Sequence, residues 1–380
     1  MVNFDNAATT FPKPESVRSA VTAAITKFGG NPGRSGHDIS IAAAAEVYAA
    51  RKKAGDLFGA EPENVVFTLN CTHALNFAVK GVVKSGSHVI ISDMEHNSVF
   101  RPVYALSKKG VRFSTAAVSP DDERLLANIE ALITPSTSVV IFTLGSNVTG
   151  QLMPYAKIGA LCRRKGLCFI ADGAQVCGVR DINLKRDNIN ILCCAAHKGL
   201  YAAPGTGLLI SDGKYKIQPI IEGGTGSTSL DPLQPDFLPD ALESGTVNTI
   251  GAISLSAGID FVRSMGIDRI YSHEMLLCDR LIRQLKRSGN ITIYRDRGKY
   301  LPIVLFNVGN AASEETCSYL NSKGFALRGG LHCARLAHMT LGTAPDGAVR
   351  FAPSVFNSPE ETDRLAGEIL KFADSRAMKK

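Results

Sequence analysis

Ile170-Ala-Asp-Gly-Ala-Gln175 and Ile191-Leu-Cys-Cys-Ala-Ala-His-Lys-Gly199 are two apolar runs that each end in polar groups. Neither alternates apolar with polar residues, so each reads as a strand buried on both faces. The same texture recurs at Asn64–Thr68, His88–Ser92, Val111–Ser114, Ser138–Thr143 and Gly207–Ile210. The two opening runs contribute strands at Leu167–Ala171 and Ile189–Cys194. Helical patterns lie between the strands: Ile39 to Phe58, a helix from Thr72, one after His96, one around Arg124–Ile133 and one around Ala156–Arg164. Strands joined by helical crossovers predict an α/β fold with a mostly parallel, seven-stranded-type sheet. Ligands of such sheets sit beyond the carboxyl ends of the strands, where Thr68, Asp93, Ser146, Asp172 and His197 emerge.

After about residue 250 the texture changes to long helices (Ile250 to Ser264, Ile267 to Arg287), short strands (Ile291–Tyr294, Pro302–Asn307, Val349–Phe351) and a final helix from Pro359 to about Ala373. A large domain over 15–250 is expected, with residues 1–14 and 251–380 forming a smaller α+β domain. A chain of 380 residues is long enough for two cores.

Composition narrows the function. Hydrophobic residues make up 45% and charged residues 20%, as in ordinary globular proteins. The net charge of +7 is dispersed. Its densest cluster, Arg163-Arg164-Lys165, closes a helix, where cations complement the dipole. Without a basic run and without Trp, the chain gives no footing for nucleic acid. No apolar run spans a membrane, and the N-terminus lacks the charged and apolar regions of a signal peptide. Nine cysteines, an odd number without a Cys-x-x-Cys pair, fit a reducing cytoplasm better than a disulfide framework, and no metal site is expected.

Alone, a Lys after a strand is usually a solvated residue, and an Asp there a turn or cap residue. Together at two strand tips, Asp172 and Lys198 suit pyridoxal 5'-phosphate. The lysine forms a Schiff base with the aldehyde, and the carboxylate keeps the pyridine nitrogen protonated.

Seven short motifs extend this pairing. They are Asp5-Asn-Ala-Ala-Thr-Thr10, Met94-Glu-His-Asn97, Ser146-Asn-Val-Thr-Gly150, Asp172-Gly-Ala-Gln175, His197-Lys198, Glu243-Ser-Gly-Thr-Val-Asn248 and Arg328-Gly-Gly-Leu-His-Cys333. In this order they resemble the class V aminotransferase-fold enzymes, and within them the cysteine desulfurase and selenocysteine lyase branch. The resemblance implies the fold type I of pyridoxal-phosphate-dependent transferases. It makes Lys198 the Schiff-base lysine and the base for the substrate Cα proton, and places His96 over the pyridine ring. Asp172 would pair with the ring nitrogen, and Gln175 and Asn147 would bond the ring oxygen. Thr72 and His197 would bind the phosphate, with position 71 lining the same site. Thr246 would reach the phosphate of a partner subunit, which implies a homodimer. Two departures stand out: Ala195 where the family commonly has Ser, and Cys71 where Thr is frequent. Thr225 and Ser227 are the candidates to compensate.

Cys333 would be the nucleophile that takes sulfur from the substrate as a persulfide. Arg328, His332 and Arg335 surround it in sequence, and positive charge favours a thiolate. Gly329-Gly330 allows an unusual backbone. The short loop resembles the branch whose cysteine is constrained. Arg350 would clamp the substrate carboxylate with its planar fork; Arg34 and His37 match a loop at the site mouth. The expected reaction converts L-cysteine to L-alanine, with the sulfur passed to an acceptor protein or small thiol. A selenocysteine lyase is the alternative, since selenium leaves without needing Cys333. A class V aminotransferase is more distant, because it gives Cys333 no task.

Overall fold

The computed structural model describes residues 1–33 and 35–377, so Arg34 lies outside the described residues. In chain order the strands are β1 (Val2–Asn3), β2 (Val65–Thr68), β3 (His88–Ser92), β4 (Arg112–Ala116), β5 (Thr137–Thr143), β6 (Cys168–Asp172), β7 (Ile191–Ala195), β8 (Gly207–Ser211), β9 (Ile291–Ile293), β10 (Val304–Val308), β11 (Phe325–Ala326) and β12 (Val349–Phe351). The helices are α1 (Glu15–Lys27), α2 (Asp38–Phe58), α3 (Cys71–Val82), α4 (Asn97–Ser107), α5 (Asp122–Ala131), α6 (Tyr155–Lys165), α7 (Leu184–Asp187), α8 (Thr249–Met265), α9 (Ile267–Leu285), α10 (Ser313–Ser322), α11 (Arg335–Thr340) and α12 (Pro359–Ala377).

Seven strands form one sheet in the order β2-β8-β7-β6-β5-β3-β4. Only β8 runs against the others. Alternate residues feed two separate cores. Phe142, Phe169 and Leu192 pack on one face, while Ile141, Ile170 and Ile191 pack on the other. That division explains why these strands read as unbroken apolar runs. The register sets Thr143 beside Asp172, and Asp172 beside Cys193, so the polar strand tips stand level.

A three-stranded antiparallel sheet, β12-β10-β9, has a core of its own with α9 and α12. Phe4 packs into that core, and β1 pairs with β11, so the first residues join the C-terminal layer. Helix α8 packs against α1 and α2.

Several short elements lie outside the pattern that the sequence predicts, among them β1, α7 and β11. Helix α1 starts after the Phe11-Pro-Lys-Pro14 stretch and buries only Val17 and Ala24, so its apolar stripe is too thin to read. Helices α10 and α11 are short, and α11 begins directly after the Cys333 loop. The reversal of β8 is also invisible in sequence, because a buried apolar run carries no direction.

Candidate functional site

The strand tips converge on a cavity of about 100 Å³, lined among others by Thr72, His96, Asn147, Asp172, His197 and Lys198. Cys71, Gln175, Ser98 and Ala195 also line it. Two helices begin there. Asn70 caps α3 by accepting from the His73 N–H, and His96 caps α4 by accepting from the Ser98 N–H. Their N-terminal N–H groups and dipoles favour an anion.

Asp172 is buried at the end of β6, where it accepts the Ala174 N–H at 3.0 Å and faces the Cys71 thiol at 3.5 Å. The Cys71 thiol is held well above its usual range by burial and by the nearby carboxylate. Lys198 is the partly buried cation of the cavity. Loss of water lowers its proton affinity, and Asp172 opposes that drop only in part. An amine shifted this way is closer to the neutral form a nucleophile needs.

A hydroxyl chain orders the histidine wall. The Thr72 hydroxyl lies 2.6 Å from the Ser98 hydroxyl, which lies 2.8 Å from His96 Nδ1. Since the Ser98 N–H also donates to Nδ1 at 3.0 Å, that nitrogen is an acceptor. Burial lowers the His96 pKa and keeps the ring neutral. His197 is driven down to about 4 by burial, with Lys198 and Lys13 adding to the shift. Its Nδ1 is buried without a partner among the described residues.

The N-terminal segment straps the lysine peptide down. The His197 carbonyl accepts from the hydroxyls of Thr9 and Thr10, from the Thr10 N–H and from Lys13 Nζ at 2.8 Å. Burial lowers Lys13 to about 8. The Gln175 amide donates to the Ala7 carbonyl at 3.0 Å.

Arg350 is buried in β12 at 1% exposure. One of its amino groups donates to the Asn147 carbonyl at 2.9 Å and another to Asp5 at 2.8 Å. Its Nε has no partner among the described residues. A buried N–H left this way is costly, and an anion would satisfy it.

Cys333 is exposed, and its Sγ lies 3.8 Å from a guanidinium nitrogen of Arg328. His332 and Cys333 have φ of 49° and 55°, the left-handed region that costs a side chain energy. Three contacts hold the loop in this shape. The Asn147 amide donates to the His332 carbonyl at 2.8 Å, and the Asn97 N–H donates to the Cys333 carbonyl at 2.7 Å. The His332 ring stacks on His338 with centroids 5.4 Å apart, and its Nδ1 lies 3.2 Å from His338 Nε2.

One expectation is overturned here. His332 is not a cation beside the thiol: burial, chiefly, drives its pKa down to about 3, so it is neutral. Among the described residues Arg328 is the one positive neighbour that contacts the sulfur. Arg335 is exposed at the start of α11 and makes no hydrogen bond with the sulfur among the described residues.

Other expected residues lie apart. Thr246 is exposed, accepts from Asn31 and borders a separate hollow with Leu69 and Asn248. His37 is an exposed N-cap of α2. Thr225 and Ser227 bond to each other and do not line the cavity. Sequence reading left Ser98, Asp5 and Glu95 without a role. Glu95 is buried, accepts the Thr143 N–H at 2.8 Å, and is raised by burial to about 8. Its place inside Met94-Glu-His-Asn97 was the one signal available. Asp5 meets Arg350 only through the tertiary fold.

Among the described residues no group of His, Cys, Asp or Glu is placed to hold a metal ion. No single helix among them is long and apolar enough to cross a membrane.

The likeness to known proteins covers nearly the whole chain. The probable cysteine desulfurase of Methanothermobacter thermautotrophicus is 29% identical over 96% of this chain and 93% of its own length. The apo structure of cysteine desulfurase from Thermococcus onnurineus superposes with a TM-score of 0.92 at 28% identity, covering 98% of this chain and 95% of that one. A cysteine desulfurase structure from Escherichia coli, at 24% identity and a TM-score of 0.88, shares the fold over 98% of this chain and 94% of its own. The family pattern of aminotransferase class-V runs over residues 2–365, from β1 into α12 and through every strand tip of the cavity, and the chain belongs to that family.

Proposed function

We propose that this chain is a pyridoxal-5'-phosphate-dependent cysteine desulfurase that converts L-cysteine to L-alanine and takes the sulfur onto Cys333. The observation that carries this reading is an exposed thiol, in a strained loop beside Arg328, next to a cavity that holds a lysine whose proton affinity is lowered by burial and a buried carboxylate. The desulfurase relatives at 28–29% identity support it over most of the chain.

The residues present fit the cofactor. The unpartnered His197 Nδ1, the convergent starts of α3 and α4 and the Asp172 carboxylate are the groups that a phosphate and a pyridine ring would satisfy. Thr72 and His197 would hold the phosphate, Asp172 the ring nitrogen and Lys198 the aldehyde carbon. His96 would cover the ring face, and Asn147 and Gln175 would reach its oxygen once released from the His332 and Ala7 carbonyls. When bound, pyridoxal phosphate supplies an aldehyde for amines and a sink for the electron pair at the substrate Cα.

Arg350 binds the substrate carboxylate, and its free Nε provides a buried donor for that bond. Arg328 adds a second positive group beside Cys333. Lys198 carries the Cα proton. Cys333, as thiolate, attacks the substrate sulfur. The S–C bond breaks, an S–S bond forms, and the carbon takes up a proton to become alanine. Cysteine and a thiol thereby give alanine and a persulfide, with no outside oxidant.

Thr246, exposed and absent from the wall of this chain's own cavity, fits a homodimer in which it serves the partner subunit. The free thiols fit a reducing cytoplasm. Selenocysteine lyase activity uses the same cavity without Cys333.

The test is alanine release from L-cysteine and from L-selenocysteine, with a reductant, by wild type and Cys333→Ala. Loss of the cysteine reaction alone supports the desulfurase. A wild type that acts only on selenocysteine, and a variant that matches it, would assign a selenocysteine lyase and remove the role of Cys333.

A further inference from the structure

Outside the cavity, α3 and α4 form a second and more open groove of about 450 Å³. Thr72, Asn76 and Lys80 repeat at helical spacing on α3, and Asn97, Arg101 and Ala105 repeat on α4, so each helix gives one face to it. Cys333 stands at the end where both helices begin, tied there by the Asn97 N–H. Thr72, His96 and Ser98 line both spaces and form the wall between them. The thiol therefore opens to the groove, and these three wall residues part it from the cavity where sulfur would be released.

The charge of this groove is one-sided. Lys80 and Arg101 are exposed, and neither makes an ion pair or hydrogen bond among the described residues. Among the described residues no carboxylate lines the groove. At the rise of an α-helix, Arg101 lies about 6 Å along α4 from Asn97, and Lys80 about 12 Å along α3 from Thr72. Two unpaired cations at graded distances from one thiol suit an anion that must approach that thiol.

We propose that this groove receives the sulfur acceptor, and that the acceptor is a small thiol carrying carboxylates, held by Lys80 and Arg101. The proposal rests on the desulfurase reading. The volume suits a small molecule rather than a folded domain. The acceptor thiolate attacks the outer sulfur of the Cys333 persulfide. A new S–S bond forms, the old one breaks, and its electron pair leaves on the Cys333 sulfur, which regains a proton. One thiol and one persulfide become one persulfide and one thiol, so no oxidant or reductant is consumed.

The test uses full-length holoenzyme as wild type, Lys80→Gln/Arg101→Gln and Lys80→Glu/Arg101→Glu. Two acceptors are compared, mercaptosuccinate with two carboxylates and neutral 2-mercaptoethanol. Single-turnover alanine release from cysteine, without acceptor, is measured alongside. The expected result is an unchanged single turnover and an unchanged rate with 2-mercaptoethanol in all three proteins. The ratio of the mercaptosuccinate to the 2-mercaptoethanol rate should fall about fivefold in the Gln variant, the combined effect of two exposed charges. It should fall further in the Glu variant, and added salt should reduce the wild-type ratio.

A ratio that stays put in the Glu variant overturns the proposal and moves the acceptor elsewhere, including onto a protein docked at the loop. An equal fall with both thiols also overturns it, because the groove would then serve the protein's own chemistry. Wild type without any single turnover of cysteine refutes the desulfurase reading itself, and this proposal with it.

Discussion

The two halves of the site are built on opposite principles. On the Lys198 side, polar groups sit at the ends of buried strands, and the protein strips them of water. Lys198, His96 and His197 are all driven towards their neutral forms by burial. On the Cys333 side, the thiol is exposed and the backbone is strained, held by single hydrogen bonds from Asn147 and Asn97. Proton transfer gains from exclusion of water, because the amine must be poised between charge states. Sulfur transfer requires that a second thiol can reach the first. One region is buried, which suits proton transfer; the other is open, which suits transfer of sulfur outwards.

The largest effect should come from the buried side. Lys198→Ala should lower alanine release by on the order of a thousandfold, the scale of a lost acid–base group. It should also abolish borohydride-bleachable yellow absorbance. A variant that keeps both would break the contrast at its centre.

Arg350 is next. Lys cannot reproduce its contacts to Asp5 and the Asn147 carbonyl while offering a further donor. Arg350→Lys should raise KM for cysteine about thirtyfold, equivalent to about 2 kcal/mol of charged hydrogen bonding. An unchanged KM would place the substrate carboxylate elsewhere.

His338→Leu probes the brace behind the thiol. It leaves His332 Nδ1 buried without its partner and should cost about 1.5 kcal/mol of stability in denaturant melts. The cysteine reaction should suffer, and the elimination from selenocysteine should not. Equal losses on both substrates would deny the loop its separate role.

The smallest effect, counted per pH unit, is a pH dependence. His332 in the folded protein has a pKa of about 3, below its ordinary value, so the unfolded chain binds the proton more readily. Its contribution to stability is complete above the unfolded pKa, near 6.5, and is lost as pH falls towards the folded value. Between pH 6.5 and 4, His332 alone should remove on the order of 1 kcal/mol per pH unit, seen as a falling melting temperature. Flat stability across that window would mean that the imidazole is charged or exposed in solution.

Much of the buried half was legible in the chain. Strands that are apolar throughout announce a covered sheet, and a polar residue at the end of such a strand has nowhere to go but the rim. Asp172, His197 and Lys198 were located that way, and the cavity brings them together with Thr72, His96 and Asn147. The Cys333 half was harder to read. His332 looks like a nearby cation in sequence, but stacking on His338 buries it and keeps it neutral. Protonation follows from solvation, and solvation is a property of the packed chain.

By itself, the sequence determined the strand series, the polar tips and the types of residue on offer, because hydrophobic periodicity and local turn chemistry act over neighbouring positions. Only the tertiary structure decided the direction of β8, the strap of Thr9, Thr10 and Lys13 over the His197 carbonyl, and the pairing of Asp5 with Arg350. These join residues far apart in the chain, and no local pattern records a contact whose energy exists only once both surfaces have been buried together.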